Sequence, residues 1–228
     1  MAIVNVKQLK KDYDLGRTKV PALRGVDLII EKGEFVTIAG PSGCGKTTTL
    51  NIMGCLDKAT SGEVWINDCL INNLEEKKLN SLRLNTIGFI FQAFNLVPVL
   101  NVYENVELPL LIIKNVSSNE RRERVNYFLK AVGLFEHAKK KPSELSGGQR
   151  QRVAVARALV TKPKIVLADE PTANLDSKNG MEIIELMHDI SRKESTTFIF
   201  STHDPKVMQK ADRIIHMEDG LIKSEVSI

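Results

Sequence analysis

Long apolar runs are what this sequence most lacks. Its longest apolar stretch of interest, "LPLLII" from Leu108 to Ile113, falls far short of the ~20 residues that span a bilayer as a helix. Any membrane role must therefore come through a partner. The N-terminal "MAIVNVKQLKKDY" lacks the apolar core of a signal peptide; it alternates apolar and polar residues and reads as an edge strand. Cysteine is scarce too. Cys44, Cys55 and Cys69 are odd in number and have no metal-ligand spacing, which argues against a disulfide framework and fits reduced thiols in a cytosolic protein. Charge of one sign is barely in excess, with 32 Lys and Arg against 28 Asp and Glu for a net +4. So small a surplus reads as solvated surface rather than as a face built for a polyanion or a membrane. No internal repeat or low-complexity tract occurs.

What is present is the balance of a soluble globular protein: 43% hydrophobic and 26% charged residues in 228. That length accommodates one large domain or a domain with an inserted lobe. Val4 to Leu9, Ala22 to Ile30 and Glu63 to Ile66 read as short strands. "GEFVTIAG" (Gly33 to Gly40) is a continuous apolar strand ending in a glycine loop, and "TTTLNIMGCL" after it reads as a helix. "KIVLADEP" (Lys164 to Pro171) and "TTFIFSTHD" (Thr196 to Asp204) are two more buried-type strands. Between them Ile183, Leu186, Met187 and Ile190 mark one apolar helix face. This is βαβ patterning, which predicts an α/β fold with a mostly parallel sheet and a small antiparallel β part at the N-terminus. From about Val97 to Leu159 strand signals give way to helical ones, with Val125, Phe128, Leu129 and Val132 on one face and Arg121, Arg122 and Arg124 on solvated positions. The expected layout is a core of about 1–96 and 160–228 with a helical lobe of about 97–159.

Several motifs carry chemistry. "GPSGCGKT" comprises Gly40, Pro41, Ser42, Gly43, Cys44, Gly45, Lys46 and Thr47, with Thr48 next, and matches G-x-x-x-x-G-K-[ST] between a strand and a helix. Its glycines let backbone N–H groups converge on a phosphate chain, and the helix start adds its positive end. Lys46 then serves the β/γ-phosphates and the Thr47 hydroxyl serves Mg²⁺. In "IVLADEP", Asp169 closes an apolar strand as a Mg²⁺-holding carboxylate, and Glu170 beside it is placed to polarise the attacking water. His203 ends the next strand, where parallel strands line a ligand crevice. It is expected to contact the γ-phosphate and orient Glu170. Gln92, after the apolar "GFIF", is an amide placed to sense Mg²⁺ and water. His137, His188 and His216 read as structural. Finally, Ser146 and Gln149 have capping-box spacing, but a cap has no need of Gly147 and Gly148. Two glycines at a helix start leave room for a large anion.

These residues resemble the ATP-binding-cassette family over essentially the whole chain. The motifs stand in that family's order: Tyr13, similar to the adenine-stacking aromatic; "GPSGCGKT"; Gln92; "LSGGQ" (Leu145, Ser146, Gly147, Gly148, Gln149); "IVLADEP"; "ANLD" with Asn174 and Asp176; and His203. Asn174 departs from the alanine of many relatives' D-loops. The resemblance implies a P-loop NTPase core that hydrolyses ATP with Mg²⁺. It also implies a homodimer on ATP binding, in which the "LSGGQ" of one subunit closes on the ATP held by the other's P-loop. On that arrangement a cysteine at position 146 would face Cys44 across the pair. "GCLDKATSGEV", "IGFIFQAFNLVPVLNVYENVELPL" and "LADEPTANLDS" look most like the lipoprotein-releasing and macrolide-efflux subfamily. This implies an integral-membrane permease subunit as partner, with Phe94 to Glu107 as the expected docking segment, and a cytoplasmic place on the inner face of the cell membrane. No nucleic-acid partner is expected. The rival readings are an envelope mechanotransmission or cell-division-type ATPase that moves no cargo, and a soluble non-transport cassette protein. The latter typically has two cassettes or long coiled-coil insertions, which 228 residues do not accommodate.

Overall fold

The computed structural model describes residues 1–16, 18–114 and 116–228. Two long strands, β1 (Ala2–Leu15) and β2 (Thr18–Glu31), pair antiparallel at the N-terminus. After β3 (Phe35–Ala39) and helix α1 (Lys46–Met53), strand β4 (Ser61–Ile66) returns to pair with β1, and short β5 (Cys69–Leu70) pairs with β4. Helix α2 (Glu76–Thr86) leads into β6 (Ile87–Ile90). Three helices follow: α3 (Val102–Ile112), α4 (Ser118–Ala131) and α5 (Gly147–Leu159). The chain then alternates through β7 (Ile165–Ala168), α6 (Ser177–Glu194), β8 (Thr197–Thr202), the short α7 (Pro205–Met208), β9 (Arg213–Glu218) and β10 (Leu221–Ser227).

Two sheets result. One has the order β2-β1-β4-β5 and is antiparallel; the other has the order β10-β9-β3-β8-β7-β6, parallel except for β10. The inner strands of the second sheet are buried on both faces, which is why they read as unbroken apolar runs. Alternation sorts their side chains. Phe35, Val166, Ala168, Phe198 and Phe200 join a core with α3, α4, α5 and α6. Val36, Ile38, Ile165, Leu167 and Ile199 face the opposite way, toward α1 and the antiparallel sheet. The helical insertion therefore shares its core with the sheet.

Caps written in the sequence start the helices. Asn101 and Glu104 form a reciprocal capping box before α3; Ser117 caps α4 and Asp176 caps α6. On α6 the buried face is Ile183, Ile184, Met187 and Ile190, with the expected Leu186 only half-buried.

One expectation is overturned. β1 lies inside its sheet between β2 and β4, not at an edge. Alternation reports that only one face of a strand is buried; it carries no information about how many neighbours the strand has. The β9–β10 hairpin escaped the sequence reading. Its turn holds Asp219 and Gly220 at φ 48° and 76°, the left-handed pair that an Asp-Gly turn supplies.

Asn105 organises the connection from β6 to α3. It is fully buried; its Oδ1 accepts from the Val97 N–H at 2.8 Å, and its amide donates to the carbonyls of Val97, Leu100 and Asn101 at 3.0–3.1 Å. Truncation leaves the Val97 N–H and the Leu100 carbonyl without this partner, while the Val97 and Asn101 carbonyls keep the N–H groups of Leu100 and Asn105. Asn105→Ala is expected to lower stability by roughly 2–4 kcal/mol, read from the urea midpoint at unchanged slope. A loss under about 0.5 kcal/mol would show that the loop supports itself.

Candidate active site

Four parallel strands deliver the site residues. The loop Gly40–Thr47 follows β3, Gln92 lies just beyond β6, Asp169 and Glu170 follow β7, and His203 follows β8. Adjacent carboxyl ends of parallel strands form a crevice, and here it is a cavity of about 300 Å³. Ala22, Ser42, Gly43, Gly45, Lys46, Thr47, Thr48, Gln92 and Glu170 line it.

The loop's shape depends on glycine at Gly45, with φ 109°, where a β-carbon would stand 2.8 Å from Leu23 Cδ2 and 2.9 Å from the Ala22 carbonyl oxygen. Lys46 is nearly buried, with 5% of its surface exposed. Its ammonium donates to the carbonyls of Gly40 and Pro41 at 2.8 and 2.9 Å and lies 3.9 Å from Glu170 Oε1. Gly40 and Pro41 thus serve the lysine and do not line the cavity.

Thr47 Oγ1 donates to Asp169 Oδ1 at 3.0 Å. The same carboxylate oxygen accepts from Ser201 Oγ at 2.7 Å, and Ser201 Oγ accepts the Glu170 N–H at 2.9 Å. Glu170 is held at φ 43°, a left-handed backbone rare outside glycine. His203 Nδ1 lies 3.2 Å from Glu170 Oε1. A hydroxyl and a carboxylate side by side, with Gln92 among the residues lining the same cavity, supply the hard oxygen donors that suit Mg²⁺. Among the described residues no cluster of three or more His, Cys, Asp and Glu could hold a metal alone.

Other expected residues are not among those that line the cavity. Cys44 turns inward, only 3% exposed, so its thiol belongs to the core and only its main chain faces the loop. It is therefore closed to a cross-link with a second chain. Tyr13 donates to Asp57 Oδ2 at 2.7 Å, and the Lys11 ammonium lies 4.7 Å from its ring centroid. Partial burial and the Asp57 hydrogen bond raise the phenol above its ordinary pKa. Burial opposes ionisation of Asp57, but hydrogen bonds from Lys11, Tyr13 and the Lys58 N–H outweigh it and hold the carboxyl below its usual range. Ser146 and Gln149 close their capping box, at 3.3 and 3.0 Å, and Leu145 is buried. None of residues 145–149 lines the cavity. Asn174 donates to the Gln92 carbonyl at 2.7 Å, and the exposed Asp176 caps α6, with hydrogen bonds from Asn179 lowering its pKa.

Ser201 is the residue that sequence reading missed. Its signal is a hydroxyl in an otherwise apolar buried strand, two positions before His203.

A phosphate-type loop on a central parallel strand, a lysine in that loop, a Thr–Asp pair and a carboxylate on the neighbouring strand define a P-loop nucleoside triphosphatase. Comparisons narrow the class. The family model described as ABC transporter matches residues 23–173. An uncharacterized ABC transporter ATP-binding protein, MJ0796, of Methanocaldococcus jannaschii is 47% identical over 98% of this chain and 96% of its own. The lipoprotein-releasing system ATP-binding protein LolD of Acinetobacter baylyi is 41% identical over 96% of each chain. The macrolide export ATP-binding/permease protein MacB of Syntrophobacter fumaroxidans is 44% identical, with the match spanning 32% of that longer protein. The solved dimer of MJ0796 in a post-hydrolysis state, bound to ADP and Pi, superposes with a TM-score of 0.91 at 46% identity over 98% of both chains. The chain belongs to the ABC transporter family and is an ABC ATPase.

The geometry makes Ser201 a junction between two carboxylate residues. Ser201→Ala removes both its hydrogen bonds, one of them to a charged group, so hydrolysis is expected to fall about tenfold or more. Steady-state phosphate release checks this, and wild-type turnover would show that Asp169 and Glu170 need no such link.

Proposed function

We propose that this chain binds MgATP in the cavity at the strand ends and hydrolyses it as one half of a head-to-tail pair. In that pair it drives a separate integral-membrane permease from the inner face of the membrane. Lys46 and the amides of Gly43, Gly45, Thr47 and Thr48 hold the phosphates, and Tyr13 takes the adenine. Thr47, Asp169 and Gln92 hold Mg²⁺, which when bound offsets the charge developing on the phosphates. Glu170 draws a proton from the attacking water, and His203, bonded to the same carboxylate oxygen, fixes its direction.

The observation that carries the pairing is the separation, within one chain, of the Ser146–Gln149 helix start from the cavity. A helix N-terminus with two half-buried glycines that does not line its own nucleotide site suits a second chain's ATP. That the similar MJ0796 was solved as a dimer with ADP and Pi supports this reading. The LolD and MacB relatives support export or extraction of a lipoprotein, peptide or hydrophobic compound as the work performed. No described helix is long and apolar enough to cross a membrane, so the permease would be another polypeptide or another part of the protein.

For docking, Leu96 packs against the core, whereas Val99 is 75% exposed. Nearby, Arg83, Phe89, Phe91, Asn95, Pro109 and Arg157 line a cleft of about 290 Å³. Within the expected docking segment, Val99 is therefore the apolar side chain whose exposure suits a contact with the permease.

Glu170→Gln is expected to keep MgATP binding and lose about 10²–10⁴ of turnover, with the unhydrolysed nucleotide holding two chains together. Sedimentation in excess MgATP checks it; a monomer with wild-type turnover overturns both the base and the pairing. Val99→Asp is expected to uncouple the reconstituted transporter while the isolated chain still hydrolyses ATP. Equal loss of both activities would place Val99 in the catalytic frame.

A further inference from the structure

The turn that carries Gln92 is held from outside. Phe94 and Asn95 sit at φ 60° and 49°, consecutive left-handed conformations that side chains rarely adopt. The two carbonyls accept from the Arg157 guanidinium at 2.8 and 2.6 Å, and Arg150 lies over the Phe94 ring at 5.2 Å from its centroid. Both arginines come from α5. On the other side, the Gln92 carbonyl accepts from Asn174 Nδ2 at 2.7 Å.

Asn174 belongs to a tight turn that begins at Glu170. The Ala173 N–H donates to the Glu170 carbonyl at 3.1 Å, the Leu175 N–H to the Thr172 carbonyl at 3.0 Å, and Asp176 ends the turn as the cap of α6. Among the described residues, the Asn174 amide makes the one side-chain hydrogen bond between this turn and residues 91–95. It thereby joins the two turns whose residues, Glu170 and Gln92, share the cavity. The start of α5 leans on the same place, since a β-carbon on Gly147 would lie 3.3 Å from Leu175 Cδ2 and 3.5 Å from the Asn174 carbonyl oxygen.

We infer that Asn174 is a positioning residue: its hydrogen bond to the Gln92 carbonyl sets Gln92 against Glu170, so that the Gln92 amide meets the Mg²⁺ and water side of the nucleotide. This rests on the reading of Gln92 given above. An alanine at this position preserves the turn and removes the link. An aspartate of the same shape replaces the donor with an acceptor that repels the carbonyl.

The test compares wild type with Asn174→Ala, Asn174→Asp, Gln92→Ala and the Gln92→Ala/Asn174→Ala double variant. Two quantities are read on the isolated chain: steady-state ATP hydrolysis, and the Mg²⁺ concentration at which a non-hydrolysable ATP analogue raises the melting temperature half-maximally. Loss of one neutral hydrogen bond is expected to lower kcat about three- to tenfold in Asn174→Ala, and further in Asn174→Asp. KM for ATP should stay within about twofold, because the interaction acts on the hydrolytic step rather than on nucleotide binding. The Mg²⁺ midpoint should rise by about threefold or more on the same hydrogen-bond energy, while the nucleotide-free melting temperature stays unchanged. The double variant should be no slower than Gln92→Ala, since both changes remove one device. The inference is overturned if Asn174→Ala keeps the wild-type kcat and Mg²⁺ midpoint, or if its loss multiplies with that of Gln92→Ala. Should Gln92→Ala itself match wild type in both readouts, the reading of Gln92 fails and the inference falls with it.

Discussion

The main-chain pairing of β8 with β3 on one side and β7 on the other is the constraint on which the site depends. In the observed register Ala39 lies opposite Thr202, and Ala168 lies opposite Phe200. The first residues beyond those strands are Gly40, Asp169 and His203. A slip of one residue in any of the three would reverse its faces and turn Phe198 and Phe200, or Val36 and Ile38, into the wrong core. The layout of the candidate site therefore takes its accuracy from the aromatic and aliphatic packing beneath it.

Within that frame small polar groups adjust the chemistry. Ser201 is fully buried near the end of β8, and its hydroxyl bonds to Asp169 and Glu170 together. Glu170 holds a left-handed backbone because its N–H has that partner and its carbonyl has the Ala173 N–H. Sparsely populated backbone of this kind survives only where the surroundings over-determine it. The same holds for Phe94 and Asn95, clamped by Arg157, whose guanidinium is desolvated enough to lower its pKa. Three of the left-handed side-chain-bearing residues, Glu170, Phe94 and Asn95, thus lie on the two turns that bring Glu170 and Gln92 to the cavity.

The helical insertion is no separate body hung on the sheet. Val153, Val155 and Leu159 of α5 share a core with Phe198 and Phe200 of β8. The start of α5 is accordingly fixed relative to its own sheet, and its residues 145–149 do not line the cavity of their own chain. That placement is what the pairing proposed above makes use of.

Much of this was legible in the sequence, for physical reasons that differ by element. β3, β7 and β8 were readable because burial on both faces demands unbroken apolar runs, and "GPSGCGKT" because few other residue sets let a backbone wrap phosphates. The caps at Asn101, Ser117, Ser146 and Asp176 are local and needed no fold to be seen, although only that of Ser146 was read from the sequence. β1 was misplaced at an edge because neighbour number leaves no trace in alternation, and the thiol of Cys44 faces the core although its neighbours in the loop face the cavity. Ser201, the Asn174–Gln92 bond and the Arg157 clamp were decided by tertiary structure alone. Each joins residues at least 30 positions apart, one partner being a backbone group that any residue would supply. Sequence records which side chains are present; only the folded sheet decides which carbonyl or amide comes within reach of them.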